Sequence, residues 1–162
     1  MIGVIDFDGT FLRNDYFKEL FYKKAIENPF YLLNHFLIKR KDLLSLKLAL
    51  LKDVSPEYEI EFLINKDVKK WILENKHRYS KLVLVSASPD FFVRKILSAV
   101  DCFDEVYGSI DVNLKGLIKL EFIQTKFGNN FDYLGDSKAD IPIFKNCQNA
   151  FKVTEKGIIH VS

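Results

Sequence analysis

Two aspartates close the first apolar segment of the chain and carry its strongest chemical signal. Asp6 and Asp8 follow the apolar run 1–5 and precede Gly9-Thr10. Such a run predicts a strand buried on both faces of a parallel sheet, and a Gly-Thr pair predicts a turn after it. Because side chains alternate along a strand, both carboxylates should point to the same side. Like charges so close repel each other unless a cation or a phosphate substrate uses them, so the pair favours that chemistry over a solvated Asp-Gly turn on an edge strand.

Two later apolar runs end in polar side chains in the same way. The run that begins at Lys81 ends at Ser86, and the run that begins at Phe131 ends at Asp136. A helical pattern follows each of them. In open parallel sheets, ligands bind outside the carboxyl ends of the strands. The side chains that we expect at this edge are Asp6, Asp8, Ser86 and Asp136.

A lysine at a predicted helix start is the next signal. Lys115 precedes Gly116, where we predict that a helix 115–127 begins. The helix dipole disfavours a cation at this end by about 0.3 to 1 kcal/mol, so a lysine placed there favours an anionic partner. Lys119 is the alternative for the same role, and a solvated surface lysine is the simpler interpretation of Lys115.

The elements that must position these residues alternate between strands and helices beyond Ser86. This alternation predicts an α/β fold, a doubly wound parallel Rossmann-like sheet with right-handed crossovers. The tail 157–161 is predicted to add a small edge strand or to be disordered. The other predicted elements are helices 90–100, 115–127 and 138–145 and strands 105–109, 131–134 and 150–153.

The segment between the first two strand ends is too long for a simple crossover. We predict a helical cap at 14–64, inserted after the first strand, and a Rossmann-like catalytic core made of 1–13 and 65–162 with its own crossover helix at 66–77. The leucines of the third cap helix cover more than one face, so it should be packed on two sides or paired with another protein, and a homodimer through the cap is an expectation. The predicted cap helices are those near 17–25, 30–38 and 42–51 and a short one from Ser55-Pro56.

Basic and apolar residues are interleaved at 30–52. This mixture suits an anionic substrate, a membrane surface or a lipid-linked phosphate. A helix hairpin that packs its apolar face on the core is the favoured interpretation, and His35 is interpreted as a surface or packing residue. Five basic residues stand against the single acid Asp42, namely Lys39, Arg40, Lys41, Lys47 and Lys52.

The composition limits the classes of function. The chain has 162 residues, 28% charged and 48% hydrophobic, with a net charge of +2, which suits one soluble domain with an insertion and gives no nucleic-acid signature. Cys102 and Cys147 lack metal-type spacing, so we expect reduced thiols in a cytoplasmic protein. No basic leader precedes the first strand, and no apolar run approaches the roughly 18 residues of a membrane span. We therefore expect neither a secretory signal nor a transmembrane segment.

Taken in order, these motifs resemble those of the haloacid dehalogenase superfamily over nearly the whole chain. The segments 103–106, 113–116 and 131–136 are similar to hydrolase domains fused to UbiA-type prenyltransferases, and 85–89 resembles phosphoserine-phosphatase-like members. The residues that carry the superfamily resemblance are Asp6-Phe7-Asp8-Gly9-Thr10, Ser86, Lys115 and Gly135-Asp136-Ser137-Lys138-Ala139-Asp140.

The resemblance implies a magnesium-dependent phosphatase that acts on a small phosphorylated metabolite. Asp6 would be the nucleophile that becomes an aspartyl phosphate, and Asp8 the general acid that later activates water. The Mg²⁺ ion would be held by Asp6, the main-chain carbonyl of Asp8 and Asp136. Ser86 and the Ala87 backbone would bind the phosphate.

The resemblance also implies supporting roles and leaves alternatives open. Lys115 would offset charge on the phosphoryl group and on Asp6, Asp140 would orient Lys115 or a metal-bound water, and Thr10 would support the site. A phosphomutase keeps the same residues. The alternative from another class is a catalytically idle docking or regulatory module that binds a partner through its helical cap.

Overall fold

The computed structural model describes residues 1–27, 30, 43–52, 64–98 and 100–161 of the chain. Several predictions for the cap lie outside these residues and stay predictions. They are most of the helix 30–38, the short helix from Ser55-Pro56, and the positions of His35, Lys39, Arg40, Lys41 and Asp42.

A six-stranded sheet runs through the centre of the described residues, in the order β3-β2-β1-β4-β5-β6. Strands β1 to β5 pair in parallel, and β6 pairs antiparallel with β5. The predicted doubly wound sheet is confirmed, and the tail forms an ordered edge strand. The strands are β1 Ile2–Ile5, β2 Lys81–Pro89, β3 Glu105–Ser109, β4 Phe131–Gly135, β5 Ala150–Thr154 and β6 Gly157–His160.

The helices differ from the predicted ones mainly at their ends. The helix predicted at 115–127 begins at Leu117, because Gly116 has a φ of 60° and breaks the helical path. The helix predicted at 138–145 divides into the 3₁₀ turn Lys138–Asp140 and a short α-helix whose first turn contains Pro142. The helices are α1 Tyr16–Glu27, α2 Leu43–Lys52, α3 Lys66–Asn75, α4 Asp90–Leu97, α5 Leu117–Phe127 and α6 Ile141–Phe144. None of these helices is long and apolar enough to cross a bilayer.

Apolar side chains cover both faces of the sheet. Val4 belongs to the cluster that includes residues of α5 and α6, and Ile5 belongs to the cluster that includes residues of α1, α3 and α4. Because consecutive strand residues point to opposite faces, the apolar run at the start of the chain serves both layers. The sheet is therefore held rigidly between two helical layers, and its carboxyl edge is a fixed platform for polar groups.

The chain leaves and re-enters the core at one place. Leu12 and Ile64 form an isolated antiparallel bridge, and the Asn65 backbone N–H donates to the Phe11 carbonyl at 2.8 Å. The Asn65 side chain then accepts from the Asp67 backbone N–H at 3.1 Å and caps α3. This pairing supports the predicted insertion at 14–64, whose status as a separate cap stays a prediction.

Candidate active site

Asp6 lies at the carboxyl end of β1, where the main chain of the neighbouring strand β4 fixes its backbone. Its backbone N–H donates to the Leu134 carbonyl of β4 at 2.9 Å. Its side-chain Oδ1 accepts from the Phe7 backbone N–H at 2.8 Å and from Lys119 Nζ at 2.6 Å. Only 8% of the Asp6 surface is exposed. The carboxylate is thus fixed in orientation and nearly removed from bulk water.

The structure places Lys119, and not Lys115, beside Asp6. Lys119 lies in the first turn of α5 with its side chain buried, and its Nζ is also 4.0 Å from Asp140 Oδ1. Lys115 lies before the helix, on the other side of Gly116, and is exposed. The prediction that Lys115 lies beside Asp6 is therefore wrong, and the alternative residue, Lys119, makes this contact. Helix α5 begins at Leu117, and this start turns residue 119 toward the sheet.

Three carboxylates converge at this edge. Asp6, Asp136 and Asp140 each offer one oxygen, and the three oxygens lie within 4.8 Å of one another. Thr10 Oγ1 donates to Asp136 Oδ1 at 3.3 Å. A Cβ added at Gly9 would lie 2.4 Å from Asp136 Oδ2, so the turn Phe7–Phe11 fits closely against this carboxylate. Clustered carboxylate oxygens are the donor set that Mg²⁺ prefers, so these residues fit that ion.

Asp140 differs from the other two carboxylates because both of its oxygens already accept hydrogen bonds. Tyr133 OH donates to Oδ1 at 2.7 Å, while the Ser137 backbone N–H and Oγ donate to Oδ2 at 2.9 and 2.8 Å. Lys119 Nζ also donates to Tyr133 OH at 3.4 Å. Asp140 thus lies within ion-pair distance of Lys119 and is linked to it through Tyr133 OH.

Asp8 turns its carboxylate toward the end of β2. Its Oδ2 accepts a hydrogen bond from Ser88 Oγ. Its Oδ1 is buried and has no hydrogen-bond partner among the described residues. Within the described residues, only the Oδ2 oxygen of Asp8 is therefore anchored by a hydrogen bond.

The end of β2 supplies hydroxyl and backbone groups next to Asp8. Ser86 is fully buried, and its Oγ accepts from the Ser88 backbone N–H at 2.9 Å. The Ser86 carbonyl accepts from Ser109 Oγ at 3.4 Å. The Ala87 carbonyl accepts from Lys47 Nζ of α2 at 2.9 Å. Ser86 and Ala87 thus directly precede Ser88, the residue that contacts Asp8, and their predicted role in phosphate binding stays a prediction.

Burial, together with the neighbouring acids, raises the pKa values of carboxylates in the site. Burial raises the pKa of Asp6 to about 7; Lys119 opposes this rise, and the charges of Asp140 and Asp136 add to it. Burial also raises the pKa of Asp8 and of Asp136. The two ammonium groups, of Lys119 and of the partly buried Lys47, do not balance the four carboxylates Asp6, Asp8, Asp136 and Asp140, so the site favours an additional cation.

Sequence reasoning missed three residues of this site. Ser88 belongs to the segment 85–89 that resembles phosphoserine-phosphatase-like members, but the sequence assigns it no role of its own. Tyr133 is predicted only as a residue of a buried strand, although it carries a hydroxyl. Lys47 was one of five basic residues in the predicted cap, and nothing in their spacing separated it from the others. A polar atom inside a fully buried strand is the signal that could have identified Tyr133.

Comparisons with known proteins agree with this architecture. No family model matches the chain. The uncharacterized protein y4nM of Sinorhizobium fredii is 29% identical over 155 residues, which are 93% of this chain but only 29% of that protein, so the chain spans less than a third of that relative.

Solved structures resemble the whole chain more closely in fold than in sequence. A phosphoserine phosphatase, solved as an analogue of its phospho-aspartyl intermediate, has a TM-score of 0.58 and 23% identity, with 92% of this chain and 84% of that chain covered. A haloacid dehalogenase superfamily hydrolase from Ehrlichia chaffeensis has a TM-score of 0.55 and 16% identity, with 90% and 84% covered. The similarity to UbiA-fused domains stays a prediction. The chain therefore has the fold of the haloacid dehalogenase superfamily of hydrolases, as its motifs predicted.

Proposed function

We propose that the protein is a magnesium-dependent phosphomonoester hydrolase that works through an aspartyl phosphate on Asp6. The observation that carries this proposal is the buried Asp6 carboxylate, held at 2.6 Å by Lys119 within a cluster that also contains Asp136 and Asp140. The phosphatase that shares the fold was solved as a phospho-aspartyl analogue, which supports the same chemistry here. The substrate is proposed to be a small phosphorylated metabolite, and a cytoplasmic location stays a prediction.

The carboxylate cluster suggests which groups hold the metal. Asp6, Asp136 and the main-chain carbonyl of Asp8 would bind Mg²⁺, while the two oxygens of Asp140 are already hydrogen-bonded. When bound, Mg²⁺ neutralises negative charge between the phosphate and the carboxylates. Thr10 and the turn that contains Gly9 keep Asp136 in position for this role.

The first chemical step uses Asp6 and Asp8. A carboxylate oxygen of Asp6 attacks phosphorus and forms the acyl phosphate, the bond from phosphorus to the ester oxygen breaks, and Asp8 gives its proton to the leaving alkoxide. In the second step Asp8 takes a proton from water, the water oxygen attacks the phosphoenzyme, and inorganic phosphate leaves with Asp6 restored. The raised pKa of Asp8 suits a group that must carry the proton between the two steps.

Neighbouring groups hold the phosphate and the acid. Lys119 is placed to offset charge on Asp6 and on the transferred phosphoryl group. The Ser86 hydroxyl and the Ala87 backbone N–H are proposed to bind phosphate oxygens at the end of β2. The hydrogen bond from Ser88 Oγ to Asp8 Oδ2 leaves Oδ1 without a partner among the described residues, and this oxygen is proposed to carry the proton for the leaving group.

The proposal is tested by the turnover of an aryl phosphate in the presence of Mg²⁺. We expect Asp6→Asn to lower kcat by about 10³-fold or more, because an amide neither attacks phosphorus nor carries the negative charge. Asp101→Asn changes an exposed aspartate and is the matched control, with unchanged turnover expected. Acid-quenched wild-type protein should gain the mass of one phosphoryl group, and Asp6→Asn should not. Equal rates for wild type and Asp6→Asn would rule the mechanism out.

A further inference from the structure

The pairing between β2 and β3 is irregular where β2 passes the candidate site. The register shifts between Val85 and Pro89, so residues 86–88 of β2 lie opposite the single residue Gly108 of β3. Such a bulge bends a strand and redirects its side chains, and bulges are common beside active sites. Here the bulge ends with the hydroxyl group that contacts Asp8. The contact with Asp8 therefore depends on the groups that keep the bulge in its shape.

Asp90, the first residue of α4, joins the bulge to β3 through its carboxylate. Its Oδ1 accepts from the Gly108 backbone N–H at 3.0 Å, and its Oδ2 accepts from Arg94 Nε at 2.7 Å. Arg94 also donates from its terminal Nη2 to the Val106 carbonyl at 2.7 Å. Burial acts to raise the pKa of Asp90, but the hydrogen bonds from Arg94 and Gly108 outweigh it and lower the pKa. An ionised carboxylate is therefore held in one orientation between α4 and β3.

The main chains of the bulge and of β3 are also in close contact. A Cβ added at Gly108 would lie 2.3 Å from Asp90 Cα and 2.8 Å from the Ser88 carbonyl oxygen. Glycine permits this close approach because it has no side chain. The backbone on both sides of Pro89 is therefore located directly against β3, and a displacement of Asp90 is transmitted to Ser88, two residues earlier.

We propose that Asp90 is a positioning residue that holds Ser88, and through Ser88 the proton donor Asp8, in the geometry required by the leaving oxygen. This inference rests on the proposed function. Asp8 gives its proton to the leaving oxygen while the bond from that oxygen to phosphorus breaks, and this transfer requires the two oxygens to be at hydrogen-bond distance. An alkoxide needs the proton, whereas a nitrophenolate is a stable anion and leaves without it. Loss of Asp90 should therefore depend on the leaving group.

The experiment compares benzyl phosphate with 4-nitrophenyl phosphate in the presence of Mg²⁺. The two esters are similar in size, but the first releases an alkoxide and the second a nitrophenolate. The ratio kcat/KM covers the steps up to departure of the alcohol, so hydrolysis of the phosphoenzyme does not enter it. We expect Asp90→Ala to lower kcat/KM for benzyl phosphate by a factor about 10 times larger, or more, than for 4-nitrophenyl phosphate. A loss in phosphate binding would affect both esters equally and would leave this difference unchanged.

Further variants test the route from Asp90 to Asp8. Asp90→Asn keeps an oxygen acceptor for the Gly108 N–H, so its difference between the esters should be smaller than that of Asp90→Ala. Ser88→Ala should itself show the dependence on the leaving group. Adding Asp90→Ala to Ser88→Ala should change the difference between the esters by less than about 3-fold, because the two substitutions interrupt one route. Asp67→Ala is the matched control, since it removes an exposed acid from the first turn of α3 and should leave kcat/KM unchanged for both esters.

Hydrogen exchange of the Gly108 amide tests the contact without any turnover. In metal-free protein, Asp90→Ala should increase the exchange rate of this amide by about 10-fold or more, and Asp67→Ala should not change it. Thermal unfolding verifies that each variant is folded. If Asp90→Ala does not fold, Arg94→Met takes its place, because it keeps the carboxylate and removes the group that orients it; a difference between the esters of about 3-fold or more is then expected.

Four results would overturn the inference. They are equal losses of kcat/KM for both esters, no loss for either ester, a full additional effect of Asp90→Ala in the Ser88→Ala background, and unchanged exchange of the Gly108 amide. A lack of Asp6-dependent turnover with both esters is a different outcome, because it refutes the proposed function and this inference with it.

Discussion

At the scale of single residues, the lysine that faces Asp6 sets the electrostatics of the site. Lys119 is almost completely buried, and its Nζ lies within ion-pair distance of both Asp6 and Asp140. Removal of this cation would leave the buried carboxylates with hydrogen bonds from neutral donors but without a counter-ion, which is more costly than the loss of an exposed ion pair. The exposed Lys115, four residues earlier, makes no comparable contact with Asp6.

The two lysines therefore should respond differently to the same substitution. We expect Lys119→Met to lower kcat for an aryl phosphate by about 10²- to 10³-fold, because charge on the phosphoryl group is no longer offset. Lys115→Met should stay within about 3-fold of wild type. Steady-state assays with the same ester check both values. A large loss with Lys115→Met and a small one with Lys119→Met would show that the lysine beside Asp6 is not the one that acts.

At the scale of elements, the turn Phe7–Phe11 joins the nucleophile strand to the metal-binding edge. Gly9 adopts a φ of 75°, and a Cβ there would collide with the Asp136 carboxylate. Gly128 has nearly the same φ, 78°, but nothing lies within 4 Å of the position of its Cβ. The ψ angles differ, −8° at Gly9 and −165° at Gly128, so Gly128 controls for strain at a positive φ in general and Gly9 adds the contact with the carboxylate.

Alanine at these two positions separates strain of the fold from damage to the site. Gly128→Ala should destabilise the fold by about 1–3 kcal/mol, because a φ of 78° with a ψ of −165° is a conformation that L-residues rarely adopt. Gly9→Ala should add about 1–3 kcal/mol of steric strain and should lower turnover by about 10²-fold, because Asp136 must move. Urea unfolding and the aryl phosphate assay measure the two effects. Equal turnover in the two variants would mean that the position of Asp136 does not control catalysis.

The sheet was easier to predict than the helix ends. Apolar runs identify buried strands directly, so β3 was predicted with the bounds that the structure gives, and the ends of β1 and β4 were close. Helix starts depend on single backbone angles, and the φ of Gly116 is not visible in a hydrophobic pattern. A shift of two residues at the start of α5 was enough to assign the wrong lysine to Asp6.

At the scale of the whole molecule, the buried carboxylates couple stability to pH and to the metal. Burial raises the pKa of Asp6, Asp8 and Asp136, so the folded state keeps protons that the unfolded chain has already released. Stability contributed by these groups is present below their unfolded pKa near 4 and decreases as pH rises toward about 7, the raised pKa of Asp6. Above this pH range, a bound cation would neutralise the carboxylates in place of the protons.

Metal-free protein is therefore expected to lose stability between about pH 4 and pH 7, by up to about 1.4 kcal/mol per pH unit for each proton that the folded state retains and the unfolded chain has released. Asp6→Asn should reduce this slope, because an amide does not titrate. Added Mg²⁺ should stabilise wild type more at pH 8 than at pH 5, and should stabilise Asp6→Asn less. Urea unfolding with and without chelator checks these shifts, with Asp101→Asn as the control. A rise in the stability of the metal-free protein over the same range would contradict the proposed protonation of the site.

The sequence by itself determined the α/β sheet and the positions of Asp6 and Asp136 directly after β1 and β4, because these follow from local apolar runs and from the fact that parallel strands end at one edge. The strand predicted to end at Ser86 continues to Pro89, so Ser86 lies inside β2. Only the tertiary structure decided that Lys119 pairs with Asp6, that Ser88 holds Asp8 and that Lys47 reaches Ala87. These contacts join residues that are distant along the chain. They depend on where helices begin and how they pack against the sheet, and no local pattern of residues specifies that.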